Sequence, residues 1–349
     1  MNNDEFGIRV KQARMFAGLS QQELADLTGV EKMTVSKYES GKICPNSTHL
    51  IALSKALNVP VDYFFRKIRV SLTAEPRYRM VNPHRKLPKK ELDRIVAQTE
   101  ECLEKRADIL DILRINEREA DITHLRTSIR KYYFHEDIEN LAENVRSAWK
   151  LGSDPIENLM SVTENNGFKI VLVNGPEDFE AAVFMDENIG TVICLRRGAP
   201  KERQRFSLAH ELGHVFINHT DHDPEAEANN FAAALLIPKA SIIEDTGVKR
   251  NNIEPEELLL LRKKYGVSVP SILARMETLG IITAQVKKDT ERRFNASGIG
   301  KRSKQEMFDS EEPRMVKLLV MRAVAEGIIT SNKGRELLGD AAPAVYGTA

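Results

Sequence analysis

At 349 residues the chain is long enough for two or three domains with cores of their own, and 51 basic against 51 acidic side chains leave it without net charge, so any affinity for a polyanion has to be read locally. Cys44, Cys102 and Cys194 are odd in number and far apart, which excludes a disulfide framework or a cysteine-rich metal site and fits a reducing compartment. The N-terminal MNNDEFGIRVKQ has no apolar signal core and no apolar run approaches the roughly 20 residues that span a bilayer, so a cytoplasmic chain without a membrane partner is expected.

Residues 6–68 read as five short helices. IRVKQARMFAG sets Ile8, Val10, Ala13 and Ala17 near one face before Gly18. SQQELADLTG opens with Ser20 as N-cap and Glu23 three residues on, a capping box, and stops at Gly29. VEKMTVSKYESG closes at Gly41, and NSTHLIALSKALN and PVDYFF supply two more helices. The tight glycine turn between the second and third makes a helix-turn-helix.

The string LSQQELADLTGVEKMTVSKYESGK resembles the Xre/phage-repressor helix-turn-helix family, with Gly29 at the turn and Val35 in the third helix. The resemblance implies a lambda-repressor-like bundle that lays its third helix in the major groove of an operator. By position, Lys32, Met33 and Lys37 would face base edges, and Gln21, Thr34 and Lys42 would touch or orient on the backbone. Residues 1–68 hold nine Lys/Arg against seven Asp/Glu, so one copy should bind double-stranded DNA weakly and a homodimer on a two-fold site is expected.

Residues 66–90 carry nine basic side chains and one acidic one, Glu75, which reads either as a solvated face or as a source of further phosphate contacts. KKELDRIVAQTEECLEKRADILDIL follows as a charged helix with Leu92, Ile95, Val96, Leu103 and Ile109 or Leu110 in a seam. Such a helix bridges domains or pairs with its copy in a dimer. DIENLAENVRSAWKLGSDPIENLMSVTENNG reads as two more helices, with Trp149 in a core.

FKIVLVN and AAVFMDENIGTVICLRR read as three strands, the last two joined by a turn around Asn188 and Gly190. Pro200 then opens a helix, PKERQRFSLAHELGHVFINH. His210 and His214, four apart, share a face and can point both imidazoles at one metal. Glu211 lies about 100° round the helix, from where it reaches a water without ligating and serves as general base. Two imidazoles and a carboxylate select Zn2+, which lowers the pKa of water towards neutrality.

The third ligand is not ten residues after the first histidine, where Thr220 stands. Downstream, Asp223 can cap and Pro224 begin a helix that ends before Pro238, and two glutamates compete. Glu225 shares the stripe of Ala228, Ala232 and Leu235 that should turn inward, whereas Glu227 aligns with Asn230 and Ala234, a face expected to see water. A carboxylate on a buried stripe needs a partner, and a metal is one. Asn229, four after Glu225, is placed to hydrogen-bond the outer nitrogen of a ligating histidine. Glu225 is therefore the predicted ligand.

RQRFSLAHELGHVFINH and EAEANNFAAALLIP together resemble the ImmA/IrrE family of zinc metallopeptidases, and that resemblance implies Glu225 as third ligand independently. LRKKYGVSVPSILARMETLGIIT resembles the helix pair after the family's active site, and RMVKLLVMRAVAEGIITSNKGRELLG the C-terminal helices of members fused to Xre domains. The strand before the helix ends CLRRGAP where many relatives have an asparagine, which leaves edge contacts to substrate open. His219 and His222, just beyond the helix, either stabilise a tetrahedral intermediate or are simply solvated, and His84, His124 and His135 show no partner pattern.

The expected architecture is multidomain and mainly α. It comprises an Xre-type domain (1–68), a basic linker and helical connector (69–150), a small α+β zincin-like metallopeptidase domain (151–285) and a C-terminal helical region (286–349). Two functions compete. One is a DNA-binding transcriptional regulator with a zinc endopeptidase that cleaves a repressor-type protein substrate or controls its own operon, in a prophage or stress-response setting. The other is an autoregulatory repressor or type II antitoxin whose peptidase-like domain is an idle platform for a toxin partner or a signal. The resemblance implies the first, and the presence of Glu211 favours it, since a structural site has no need of a base.

Overall fold

The computed structural model describes residues 3–81, 85–117, 119–129, 134–218, 223–299 and 311–339. The first helices are α1 (Asn3–Phe16), α2 (Gln21–Thr28), α3 (Lys32–Glu39) and α4 (Ser47–Leu57). The fifth expected helix is a 3₁₀ turn, Val61–Phe65, too short a piece between Pro60 and the extended Arg66 to settle into α geometry. The capping box of α2 is complete. Ser20 Oγ accepts the Glu23 amide and the Glu23 carboxylate accepts the Ser20 amide. Gly29 closes the helix at φ 69°, a left-handed conformation that costs other residues about 1 kcal/mol or more. Val10, Leu24, Val35 and Leu53 are fully buried and join these helices through one core.

The segment read as a basic linker does more than connect. Its residues Arg77–Met80 form a strand, β1. After α5 (Lys89–Leu113), the short β2 (Thr127–Ser128), α6 (Phe134–Ala148) and α7 (Leu159–Asn165) come the three expected strands, β3 (Lys169–Val173), β4 (Phe179–Asp186) and β5 (Gly190–Arg196). The sheet runs β1-β4-β5-β3, with β1 antiparallel to β4, β4 antiparallel to β5 and β3 parallel to β5. Four residues with two arginines carry too little apolar alternation to announce a strand, and only pairing with β4 reveals it.

Both faces of this sheet are covered. On β5, Val192 and Cys194 belong to the core shared with Ile95 and Leu103 of α5, while Ile193 and Leu195 belong to the core of the following helices. Alternate residues of a strand point to opposite faces, so a strand buried on both reads as a continuous apolar run, as FKIVLVN and TVICL do.

Helices α8 (Lys201–Phe216), α9 (Pro224–Leu236), α10 (Lys239–Thr246), α11 (Pro255–Tyr265), α12 (Val269–Thr278) and α13 (Ala284–Ser297) build the second core, with β6 (Ile217–Asn218) pairing parallel with β2. Trp149 is half-buried against it and meets Phe168 and Phe216 edge-on. Finally α14 (Met315–Ala325) and α15 (Ser331–Leu338) close on Ile109 of α5 through Val320, Ala323 and Leu337. The apolar seam of α5 is thus consumed inside the chain, against the sheet at one end and the C-terminal helices at the other. No described helix is long and apolar enough to cross a membrane.

Candidate metal centre

Helix α8 passes through the interior, with every residue from Ser207 to Phe216 buried. Gly213 is what permits its closest approach. A Cβ there would lie 2.9 Å from Ala228 Cα and 3.1 Å from Phe231, so α9 crosses α8 at the glycine inside His-Glu-Leu-Gly-His. That crossing brings the first turn of α9 over the histidines.

The rings of His210 and His214 stand at 81° with their Nε2 atoms 3.0 Å apart. Glu225 reaches both, Oε2 lying 3.3 Å from His210 Nε2 and Oε1 lying 3.2 Å from His214 Nε2. One potential ligand atom from each of the three residues lies within 4.8 Å of the others. Asn229 completes the arrangement. Its Oδ1 accepts a hydrogen bond from His210 Nδ1 at 2.9 Å, which leaves the lone pair of the neutral imidazole on Nε2, facing the same point. Burial pushes the His210 imidazole down to about 4, further favouring the neutral form that ligates. Three potential ligand atoms on one locus, two of them imidazole nitrogens, form a donor set that fits a borderline divalent cation such as zinc.

Glu211 is 1% exposed, and neither of its carboxylate oxygens has a hydrogen-bond partner among the described residues. Burial pushes its carboxyl up to about 8, against the nearby positive charge of Arg79. Proton affinity near neutrality is what a general base requires.

Burial reverses the expected placement of the two competing glutamates. Glu225 is exposed over 53% of its side chain, while Glu227, assigned to the wetter face, is fully buried. The two are reversed because α9 meets α8 at the lip of a cleft. There a first-turn residue can face the histidines and water together, whereas Glu227 turns beneath the helix. The cleft is about 850 Å³ and is bounded by Arg79 and Glu180 from the sheet, Phe206 and Ser207 from α8, and Glu225 and Asn229 from α9. Arg79 lies outside both matched strings, and Ser207, although inside RQRFSLAHELGHVFINH, carries no pattern that marks it as lining a site. His219, His222, Thr220 and His84 lie outside the described residues. His124 is exposed and contributes to no described cluster of ligands.

On the other module, α3 presents Lys32, Met33 and Lys37 to solvent, with Lys42 exposed just after it and Thr34 half-buried. Val35 and Tyr38 hold its inner face in the core. Gln21, at the start of α2, donates from Nε2 to Glu39 at 2.8 Å, and Arg14 holds the same carboxylate. The candidate base-facing side chains are therefore exposed, while Gln21 is oriented by the fold.

Residues 10–64 match the helix-turn-helix family, and residues 173–277 match the IrrE N-terminal-like domain. Over 61 residues the chain is 39% identical to the SPbeta prophage-derived HTH-type transcriptional regulator YonR of Bacillus subtilis strain 168, covering 18% of this chain and 56% of that protein. It is 37% identical over 65 residues to the HTH-type transcriptional regulator ImmR of the same organism, covering 19% and 51% respectively. Over 66 residues it is 33% identical to repressor protein C2 of Salmonella phage P22, covering 19% and 31%. The chain thus spans about half the length of the first of these relatives and less of the last.

Proposed function

For a chain that joins an Xre-type helix-turn-helix to an ImmA/IrrE-type domain, we propose a DNA-binding transcriptional regulator that carries a zinc-dependent endopeptidase centre. The observation that carries the second half is the meeting of His210, His214 and Glu225 within 4.8 Å, with an unpaired, buried Glu211 on the next position of the same helix. The first half rests on the exposed Lys32, Met33 and Lys37 of a helix-turn-helix, on Lys42 just beyond it, and on relatives named as transcriptional regulators.

His210, His214 and Glu225 would hold the zinc, which when bound supplies a Lewis acid that polarises a carbonyl and acidifies water. Asn229 keeps His210 in the ligating tautomer by accepting from Nδ1. Glu211 takes a proton from the attacking water as the water oxygen bonds to the carbonyl carbon, and hands it to the amide nitrogen as the C–N bond breaks. The buried surroundings of Glu211 exclude competing bulk water and hold its proton affinity near neutrality. A repressor-type protein is the substrate class proposed, and the operator-bound form is proposed to be a dimer.

Elemental mass spectrometry on the purified full chain tests the reading. About one zinc per chain is expected, lost or weakened in Glu225→Gln and retained in Glu211→Gln. Metal-free wild-type protein that still binds DNA would leave a regulator without a peptidase centre.

A further inference from the structure

Two side chains that line the cleft, and Glu211 on the same helix as one of them, hold buried polar atoms without a hydrogen-bond partner among the described residues: Nη1 of Arg79, Oγ of Ser207 and both carboxylate oxygens of Glu211. The large majority of buried side-chain polar atoms are satisfied in folded proteins, so four such atoms on three side chains near a convergent ligand set mark where polar atoms of a bound molecule belong. Glu211 has its role as base. Arg79 has none in the reading so far.

Arg79 is held in place. Its Nε lies 3.1 Å from Glu180 Oε2, and Arg203 takes the other oxygen of that carboxylate at 3.3 Å. Its guanidinium lies over the ring of Phe206, 5.8 Å from the centroid. Phe206 precedes His210 by four residues on the same face of α8, about 6 Å along the axis. Through Phe206 the guanidinium packs on the turn of α8 that precedes the ligating histidine, and Arg79 lines the same cleft as Glu225 and Asn229. The backbone accounts for its aim. Arg79 pairs with Ala181, and the register of β1 shifts between Arg79 and Met80, an irregularity of the kind that redirects side chains beside active sites. The ion pair with Glu180 uses Nε and leaves Nη1, on a residue that lines the cleft, buried and without a partner among the described residues.

We propose that Arg79 contacts the substrate directly, its Nη1 donating a hydrogen bond to the scissile carbonyl oxygen as negative charge develops there. The inference rests on the metal-centre reading above and adds a residue from outside the 173–277 match, so that the segment between the two matched domains completes the site. A fixed guanidinium in a partly dry cleft stabilises such charge without reorganising.

The test uses the full chain loaded with cobalt(II) in place of zinc and methylphosphonate as a tetrahedral anionic probe, followed by the visible absorption of the cobalt. Wild type should give a saturable spectral shift. Arg79→Gln should bind the same cobalt and unfold at the same temperature, yet bind the probe about tenfold more weakly or worse, the loss of one charge-assisted hydrogen bond. Arg79→Lys keeps a charge for Glu180 and should fall between. It carries the test alone if the glutamine variant does not fold. Unchanged probe affinity in the variants, or cobalt-loaded wild type that shows no shift, overturns the role of Arg79 and leaves the metal centre standing. Wild type that takes up no cobalt overturns the metal-centre reading, and this inference with it.

Discussion

Asn229 illustrates how much one side chain decides. It ligates nothing in the proposed centre, yet its acceptor at 2.9 Å from His210 Nδ1 selects which imidazole nitrogen faces Glu225. Outer partners of this kind alter metal affinity about 10- to 100-fold. Asn229→Ala is accordingly expected to weaken zinc binding within that range while leaving thermal unfolding of the metal-free protein near wild type, as a chelator competition would report. Lys37 works the opposite way, since it is exposed and no described interaction holds it. Lys37→Ala should reduce operator affinity by about 1–3 kcal/mol, measured by fluorescence anisotropy, with zinc content unchanged. Operator affinity unaffected by this change would remove α3 from the major groove.

At the scale of elements, the centre is a crossing of two helices. Gly213 sits at the contact with Ala228 and Phe231, where a Cβ would fall 2.9 Å from backbone. Gly213→Val should push α9 off α8 and separate Glu225 from the histidines. Overpacking of this sort costs about 1–3 kcal/mol, so the expected result is a folded chain of lower melting temperature and much weakened zinc binding. Normal zinc affinity in that variant would show that the crossing does not set the ligand geometry. The apolar face of α5 tells a related story. Its seam was readable from spacing, but its partners were not, because a sheet, a C-terminal helix pair and a second copy all accept the same stripe. The burial of Ile95 and Ile109 in two different cores settles the choice.

Across the whole molecule, α5 is the axis to which the other parts attach. Helix α1 docks on it through Arg9 to Glu104 at 2.7 Å and Gln12 to Glu100 at 3.1 Å, and Lys90 reaches Glu23 of α2 at 3.0 Å. The segment that leads to β1 is fastened separately by Asp186. Its carboxylate accepts from the Thr73 amide and hydroxyl, the Ala74 amide, and the Asn188 and Ile189 amides. Burial alone would raise this carboxyl, but those donors hold it down at about 2, below its ordinary 3.8. A carboxyl depressed in the folded state contributes stability that is present above about pH 4 and is lost as pH falls from there through 2. Asp186→Asn should therefore flatten the acid limb of a stability–pH curve over that interval, and an unchanged limb would assign acid sensitivity to other groups.

The helix-turn-helix, the three consecutive strands, the His-Glu-x-x-His helix and the cap at Asp223 were legible in the linear chain because each is encoded locally. Caps, glycine stops and the 3.6- and two-residue periods act within a few residues. Tertiary structure alone decided that a four-residue arginine-bearing stretch becomes β1, that Glu225 is the wet glutamate and Glu227 the buried one, and that Arg79 and Ser207 line the cleft. Each of these depends on which surface another part of the chain presents. Pairing with β4, the α8–α9 crossing at Gly213 and the shift in register after Arg79 are contacts between distant residues, and no local pattern announces them.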